Sequence, residues 1–368
     1  MPIHTLAAWL HDIDPIAFGP VRWYGLSYIA GFVIAYFMLR AMAMRGMLRI
    51  PAQAVLDALL ALVIGVLVGG RLGSVIFYNP HLITEFTSSV PFWGVLAINK
   101  GGMASHGGMV GVILACWWIA RVHKLPMLHV ADMMALVAPV GLMLGRIANF
   151  VNGELLGRIV ARPWEEAPWW AVKFPQELGQ RTLEWYEGVN PDTRAAMNEL
   201  TIAYLQPEDA ASLTEIERVH AVSGFVTQSI QQGVSVVSEQ IEPLLNARHP
   251  SQLYQAFFEG VVLFVVLWAI AWRARKPGVI GSWFLIVYGA GRIFTEFYRL
   301  PDVGVSGFFP GLSRGQSLSA LMIVAGFGLL AWVCLKSDQP RMGGWLRRPE
   351  ANEKPAPARA ETGSMETD

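Results

Sequence analysis

The chain has 368 residues, 54% of them hydrophobic and 15% charged, with a mean hydropathy of +0.40. That is too apolar for an ordinary soluble domain and points to a membrane protein. Lys and Arg (28) balance Asp and Glu (28), so no basic field for nucleic acid and no acidic tail is expected.

In chain order, the opening MPIHTLAAWLHDIDP lacks a basic n-region and a cleavable apolar core, so it does not read as a signal peptide. Apolar runs long enough for a bilayer then occur at roughly 22–44, 55–79, 106–123, 130–151, 253–272, 279–298 and 316–336. The fold expected is an all-α integral membrane protein of seven transmembrane helices. Within the second run, Gly65, Gly69 and Gly73 at four-residue spacing read as a close helix contact rather than a phosphate loop. Cys116 and Cys334 both fall in apolar stretches and are expected as buried small hydrophobes, with no disulfide or CxxC metal site.

The connections divide by charge. Arg40, Arg45 and Arg49 follow the first run, Arg121 and Lys124 the third, and Arg273, Arg275 and Lys276 the fifth. Lys336, Arg341, Arg347 and Arg348 follow the seventh, whereas the short loops on the other side carry only Lys100, Arg299 and Arg314. The positive-inside rule then places the N-terminus outside and the C-terminus in the cytoplasm. The expected organisation is four helices in 1–157, a polar extracytoplasmic arm of part helix and part short strand in 158–250, three helices in 251–337, and a disordered cytoplasmic tail in 338–368. The Trp residues (14) suit interfacial belts.

Charged groups at membrane depth cost about 2.5–3.5 kcal/mol each on insertion scales and mark function by default. At a rise of about 1.5 Å per residue, Arg146 lies about 24 Å in from the cytoplasmic side, Arg71 about 24 Å, Arg292 about 20 Å and Glu296 about 26 Å. Tyr24 and His106 sit at the outer mouths of their runs. The polar residues thus share one leaflet. Tyr288, Arg292 and Glu296 recur every four residues, one stripe of a helix face, and Arg292 can pair with Glu296. In GRIANFVNGELLG (145–157), Arg146, Asn149 and Gly153 share a face, with Asn152 and Glu154 where the helix breaks. Arg71 has two readings, as a residue snorkelling outward and as a contributor to the same site.

Taken together these residues resemble the bacterial phosphatidylglycerol–prolipoprotein diacylglyceryl transferase family. GRIANFVNGELLG is similar to the family signature at each fixed position. The resemblance extends to WYGLSY (23–28), GGRLGSVIFYN (69–79), GGMASHGGMVG (101–111), RHPSQLYQ (248–255) and YGAGRIFTEFYRLPD (288–302). Gln255 departs from the Glu that members often carry there. The resemblance implies transfer of the diacylglyceryl group of phosphatidylglycerol to the lipobox cysteine thiol of a prolipoprotein, forming a thioether and releasing glycerol phosphate. The family's important positions fall on Tyr24, His106, Arg146, Asn149, Glu154, Gly157, Tyr288, Arg292 and Glu296.

For this chemistry Arg146 and Arg292 suit the phosphate, because the guanidinium fork matches it bidentately. Asn149, Asn152, Glu154, Gly157, Glu296 and Arg71 complete the expected substrate-binding set. His106 is the expected base for the thiol, with Tyr24 or Tyr288 in reserve. No metal or cofactor is expected. The partners are phosphatidylglycerol, prolipoprotein signal peptides and membrane lipids, met at the outer leaflet of the bacterial inner membrane. Two rivals are an anionic-lipid transporter or flippase, disfavoured by the lack of an internal repeat, and an intramembrane protease using Ser306 of the GVSG segment at 304–307.

Overall fold

A computed structural model describes residues 8–88, 90–97, 101–180, 199, 214–300 and 311–346. The architecture is mostly helical. Each long apolar run becomes a helix: α1 (Trp23–Met44), α2 (Val55–Phe77), α3 (Ser105–Val122) and α4 (Met127–Val151). After the arm come α8 (Ser251–Ala271), α9 (Val279–Glu296) and α10 (Arg314–Lys336). Five of them, α1, α2, α4, α8 and α10, are long and apolar enough to cross a membrane.

Glycine sets the α2–α3 contact. A Cβ on Gly65 would come within 2.6 Å of the Gly111 carbonyl oxygen, and one on Gly73 within 2.7 Å of the Gly107 Cα. Backbone therefore meets backbone, as the four-residue spacing predicts, and no phosphate loop forms. Asp132 joins α4 to α9. Its carboxylate accepts the Gly278 N–H at 2.8 Å and the Gly281 N–H at 2.7 Å, capping α9 from another helix. From that tie both helices climb the same way, 14 residues to Arg146 on α4 and 14 from Gly278 to Arg292 on α9, so the two arginines emerge at one level.

The core gathers around α4, whose Val130, Met133 and Leu136 pack with Leu39 and Met42 of α1, Ile119 of α3, and Leu263 and Leu267 of α8. Cys116 is buried in this core, but Cys334 is exposed on the outer face of α10, contrary to expectation: the helix turns that side away from its neighbours.

The arm combines helix and strand over its described residues. β4 (Ile159–Ala161), β5 (Val172–Lys173) and β6 (Ala247–Arg248) form a sheet with β1 (Trp9–Leu10), in the order β1-β5-β6-β4. A hairpin, β2 (Ile16–Phe18) and β3 (Val21–Arg22), then leads into α1. Helices α5 (Glu177–Gln180), α6 (Glu215–Gln231) and α7 (Ser235–Ile241) bury their own apolar cluster of Leu178, Val226, Ile230 and Ile241. The entry of β1 from the N-terminal segment is a pairing the sequence reading did not anticipate. The N-terminal segment and the arm meet at His11, which is fully buried against Phe150 and Phe174. Its Nε2–H donates to the Phe150 carbonyl at 2.8 Å and its Nδ1 accepts from the Gln176 amide at 3.2 Å. Of the expected tail, residues 338–346 fold back, with Met342 bridging Arg275 and Trp345 beneath the Arg45 guanidinium; 347–368 lie outside the described residues.

Candidate functional site

Three helices converge at one buried carboxylate, Glu259. It is the sole charged residue between Ser251 and Trp272 and sits in a π-helical stretch of α8, Ala256–Val262. Small residues on both sides let the neighbours close in. A Cβ on Gly260 would strike Met143 of α4 at 2.5 Å, and one on Gly291 of α9 would touch Phe258 at 3.4 Å. Glu259 Oε2 accepts from Arg146 Nε at 3.1 Å and Nη2 at 3.0 Å. Its Oε1 accepts from Arg292 Nη1 at 3.4 Å. Arg292 then pairs with Glu296 at 3.3 Å, and Glu296 with Arg299 at 3.5 Å.

The expected Arg292–Glu296 pair is therefore present within a longer chain of alternating charges. The Tyr288 hydroxyl lies among Glu259, Arg146 and Arg292. Glu259 escaped the sequence reading, although the rule that singled out Arg146, a lone charge in an apolar run, applies to it equally. A buried carboxylate is tolerable only when paired, and here two guanidiniums pair it.

The signature segment supplies the wall beside this chain. Past α4 the backbone turns through Gly153 and Leu155, both at positive φ, 65° and 55°. The turn aims Glu154 back at its own helix, where Oε2 accepts from Asn149 Nδ2 at 3.0 Å and Oε1 from Asn152 Nδ2 at 3.4 Å. Gln252 Nε2 and Ser251 Oγ of α8 bind the Glu154 and Leu155 carbonyls. Gly157 lies against the backbone of His249, where a Cβ would meet the carbonyl carbon at 2.9 Å. Its carbonyl accepts from Arg248 Nη1 at 3.1 Å, and Arg248 is itself paired with the buried Glu177. Gly157 thus holds the arm's two ends together.

From α1, the Tyr28 hydroxyl donates to the Tyr24 hydroxyl at 3.3 Å, and Tyr28 has Arg146 and Glu154 among its charged neighbours. Tyr28 is a second residue missed by the sequence reading, one turn beyond Tyr24 on the same face. His106 stands exposed in the first turn of α3, and among the described residues no hydrogen bond ties it to the arginine chain.

Arg71 does not snorkel. It is buried, and its Nε donates to the Val95 carbonyl at 2.8 Å, Nη2 to Gly94 at 2.6 Å, and Nη1 to Gly101 at 2.6 Å and Gly102 at 3.1 Å. Its donors fasten the segment that leads to His106. Ser306 and the GVSG segment lie outside the described residues.

A family profile described as prolipoprotein diacylglyceryl transferase matches residues 15–332. The chain belongs to the prolipoprotein diacylglyceryl transferase family. Among relatives bearing the name phosphatidylglycerol–prolipoprotein diacylglyceryl transferase, that of Bdellovibrio bacteriovorus is 40% identical over 348 residues, covering 92% of this chain and 97% of its own length. That of Stenotrophomonas maltophilia is 36% identical over 334 residues, covering 88% and 92%. That of Xylella fastidiosa is 35% identical over 335 residues, covering 89% and 95%. Membership in this family, with the apolar helices above, makes this a multi-pass membrane protein and a transferase.

Proposed function

We propose that this protein transfers the diacylglyceryl group of phosphatidylglycerol to the lipobox cysteine of a prolipoprotein. The observation that carries the reading is the pair of guanidiniums on α4 and α9, joined through Glu259 beside the signature turn, in a chain of this family. Family membership favours transfer over a flippase. All seven long helices span the membrane, with the N-terminus outside, the C-terminus cytoplasmic and the 158–250 arm on the outer side of the inner membrane. Charge bias supports that orientation.

In this reading Arg146 and Arg292 hold the phosphodiester. The cysteine thiol gives its proton to a base, for which His106 is the first candidate and Tyr24 or Tyr288 the reserve. The thiolate attacks the glyceryl carbon, the C–O bond to phosphate breaks, and glycerol phosphate leaves with the electron pair. Charge grows on the departing phosphate, where paired guanidiniums in a water-poor site stabilise it best. Asn149, Asn152, Glu154, Gly157 and Glu296 shape the pocket around the lipid headgroup.

The test is direct. Purified protein incubated with phosphatidylglycerol and a lipobox peptide should yield the peptide with the added mass of one diacylglyceryl group. A peptide whose cysteine is replaced by serine should gain nothing. No mass gain on the cysteine peptide overturns the reading.

A further inference from the structure

Glu296 ends α9, and the start of α10 lies against it. The carboxylate is buried, and its Oε2 faces two guanidiniums, Arg292 at 3.3 Å and Arg299 at 3.5 Å. Its Oε1 accepts from the Ser313 hydroxyl at 3.1 Å. Ser313 is also the N-cap of α10. The same hydroxyl oxygen accepts the Gln316 N–H at 3.1 Å, and Gln316 Oε1 accepts the Ser313 N–H at 3.0 Å, a complete capping box. A hydroxyl has one hydrogen to give and two lone pairs to receive with, so these duties do not compete. The cap uses a lone pair, and Glu296 takes the hydrogen.

Gly315 tightens the contact. A Cβ there would stand 2.9 Å from Glu296 Oε1, 3.1 Å from Cδ and 3.2 Å from Oε2, so the carboxylate lies directly on the first turn of α10. The positive end of that helix favours a negative group at this place.

We propose that Ser313 is a positioning residue for the transfer reaction, fixing one oxygen of Glu296 so that the other is held toward Arg292. This rests on the transfer reading above and deepens it. The terminal torsion of a Glu side chain is broad and roughly two-fold, so a carboxylate without such a tie samples many angles. Arg292 lies between Glu259 of α8 and Glu296 of its own helix. With Glu296 tied to Ser313, the guanidinium assigned to the phosphate is braced from α8, α9 and α10 together. Displacing a binding group by about 1 Å can cost ~10²-fold in rate, which is the scale of effect such bracing protects.

The experiment separates the two duties of Ser313 in the full-length protein. It measures transfer from phosphatidylglycerol to a lipobox peptide, and thermal unfolding in detergent. Ser313→Gly removes the hydrogen donor and leaves a usable cap, whereas Ser313→Ala removes both. Ser313→Thr keeps both. The rate per folded protein should fall about tenfold or more in Gly and Ala alike, as for a lost hydrogen bond to a charged group, and should stay native in Thr. The unfolding temperature should fall further in Ala than in Gly. Gly315→Ala approaches the same carboxylate with the hydroxyl intact. Its added Cβ can be accommodated by moving the flexible Glu296 carboxylate, and Ala is the better helix former. That variant should lose rate without losing unfolding temperature.

A native rate in Ser313→Gly overturns the proposal, as does a rate that simply follows the unfolding temperature, with Ala impaired and Gly spared. Ser313 would then be a helix cap and nothing more. A native rate in Gly315→Ala overturns it as well, and that arm decides even where a Ser313 variant fails to fold. If the unaltered protein transfers no lipid to a lipobox peptide, it is the transfer reading that has failed.

Discussion

Arg146 and Arg71 lie in neighbouring apolar helices and meet different fates. Arg146 finds a carboxylate and keeps part of its fork accessible, whereas Arg71 spends its donors on four loop carbonyls and is buried. Arg146→Lys should therefore cost nearly as much activity as Arg146→Ala, on the order of 10²-fold or more in kcat/KM, since an ammonium cannot bridge Glu259 and phosphate in one plane. Measured transfer rates near normal in the Lys variant would remove the bidentate role. Arg71→Lys should act on stability. Each lost hydrogen bond from a charged donor is worth about 1.5–3 kcal/mol, so thermal unfolding in detergent should fall clearly. If the unfolding temperature is unchanged, the carbonyl cradle is not what holds the 94–102 segment.

At the scale of elements, glycine decides which helices touch and a carboxylate decides their register. The α2–α3 seam places Gly107 against Gly69 and Gly73 with no room for a side chain. Gly107→Leu should destabilise by at least the ~1–3 kcal/mol of overpacking and displace the first turn of α3, which carries His106. Accessibility of a cysteine probe at position 106 reports the displacement, and a silent probe with full activity would show the seam to be dispensable. The positions of the seven helices were legible beforehand because length and apolarity are local properties. Glycine spacing likewise exposed the seam. The role of Asp132 as a cap for α9 was not legible, because its N–H partners lie 146 and 149 residues away.

For the molecule as a whole, the N-terminal strand and the arm form one sheet, and His11 locks that sheet to the end of α4. Burial, only partly offset by its bond to Phe150, holds the His11 imidazole below the ordinary histidine value of about 6.5. The folded state therefore binds fewer protons than the unfolded one just below that pH, so His11's contribution is full above about 6.5 and is lost as pH falls through it. Unfolding temperatures from pH 7.5 down to 5 should decline more steeply in the native chain than in His11→Gln. Equal slopes would show that His11 does not titrate on unfolding. Orientation is tested separately: a reporter active only in the cytoplasm should work when fused after Lys276 and fail when fused in the 158–250 arm. The opposite pattern would invert the proposed topology.

Read alone, the sequence determined where the apolar helices lie, which family the chain resembles, and that a few arginines and one glutamate at depth needed an explanation. Those are statements about run length, composition and a contiguous signature. Tertiary structure alone decided which charge meets which. Glu259 pairs with Arg146 across 113 residues of chain, and Arg71 turns to a loop 23 to 31 residues away. The physical reason is that an apolar environment obliges every buried charge to find a partner without specifying which one. That choice belongs to the packing of α4, α8 and α9, where Gly260 and Gly291 let three helices close around a single carboxylate.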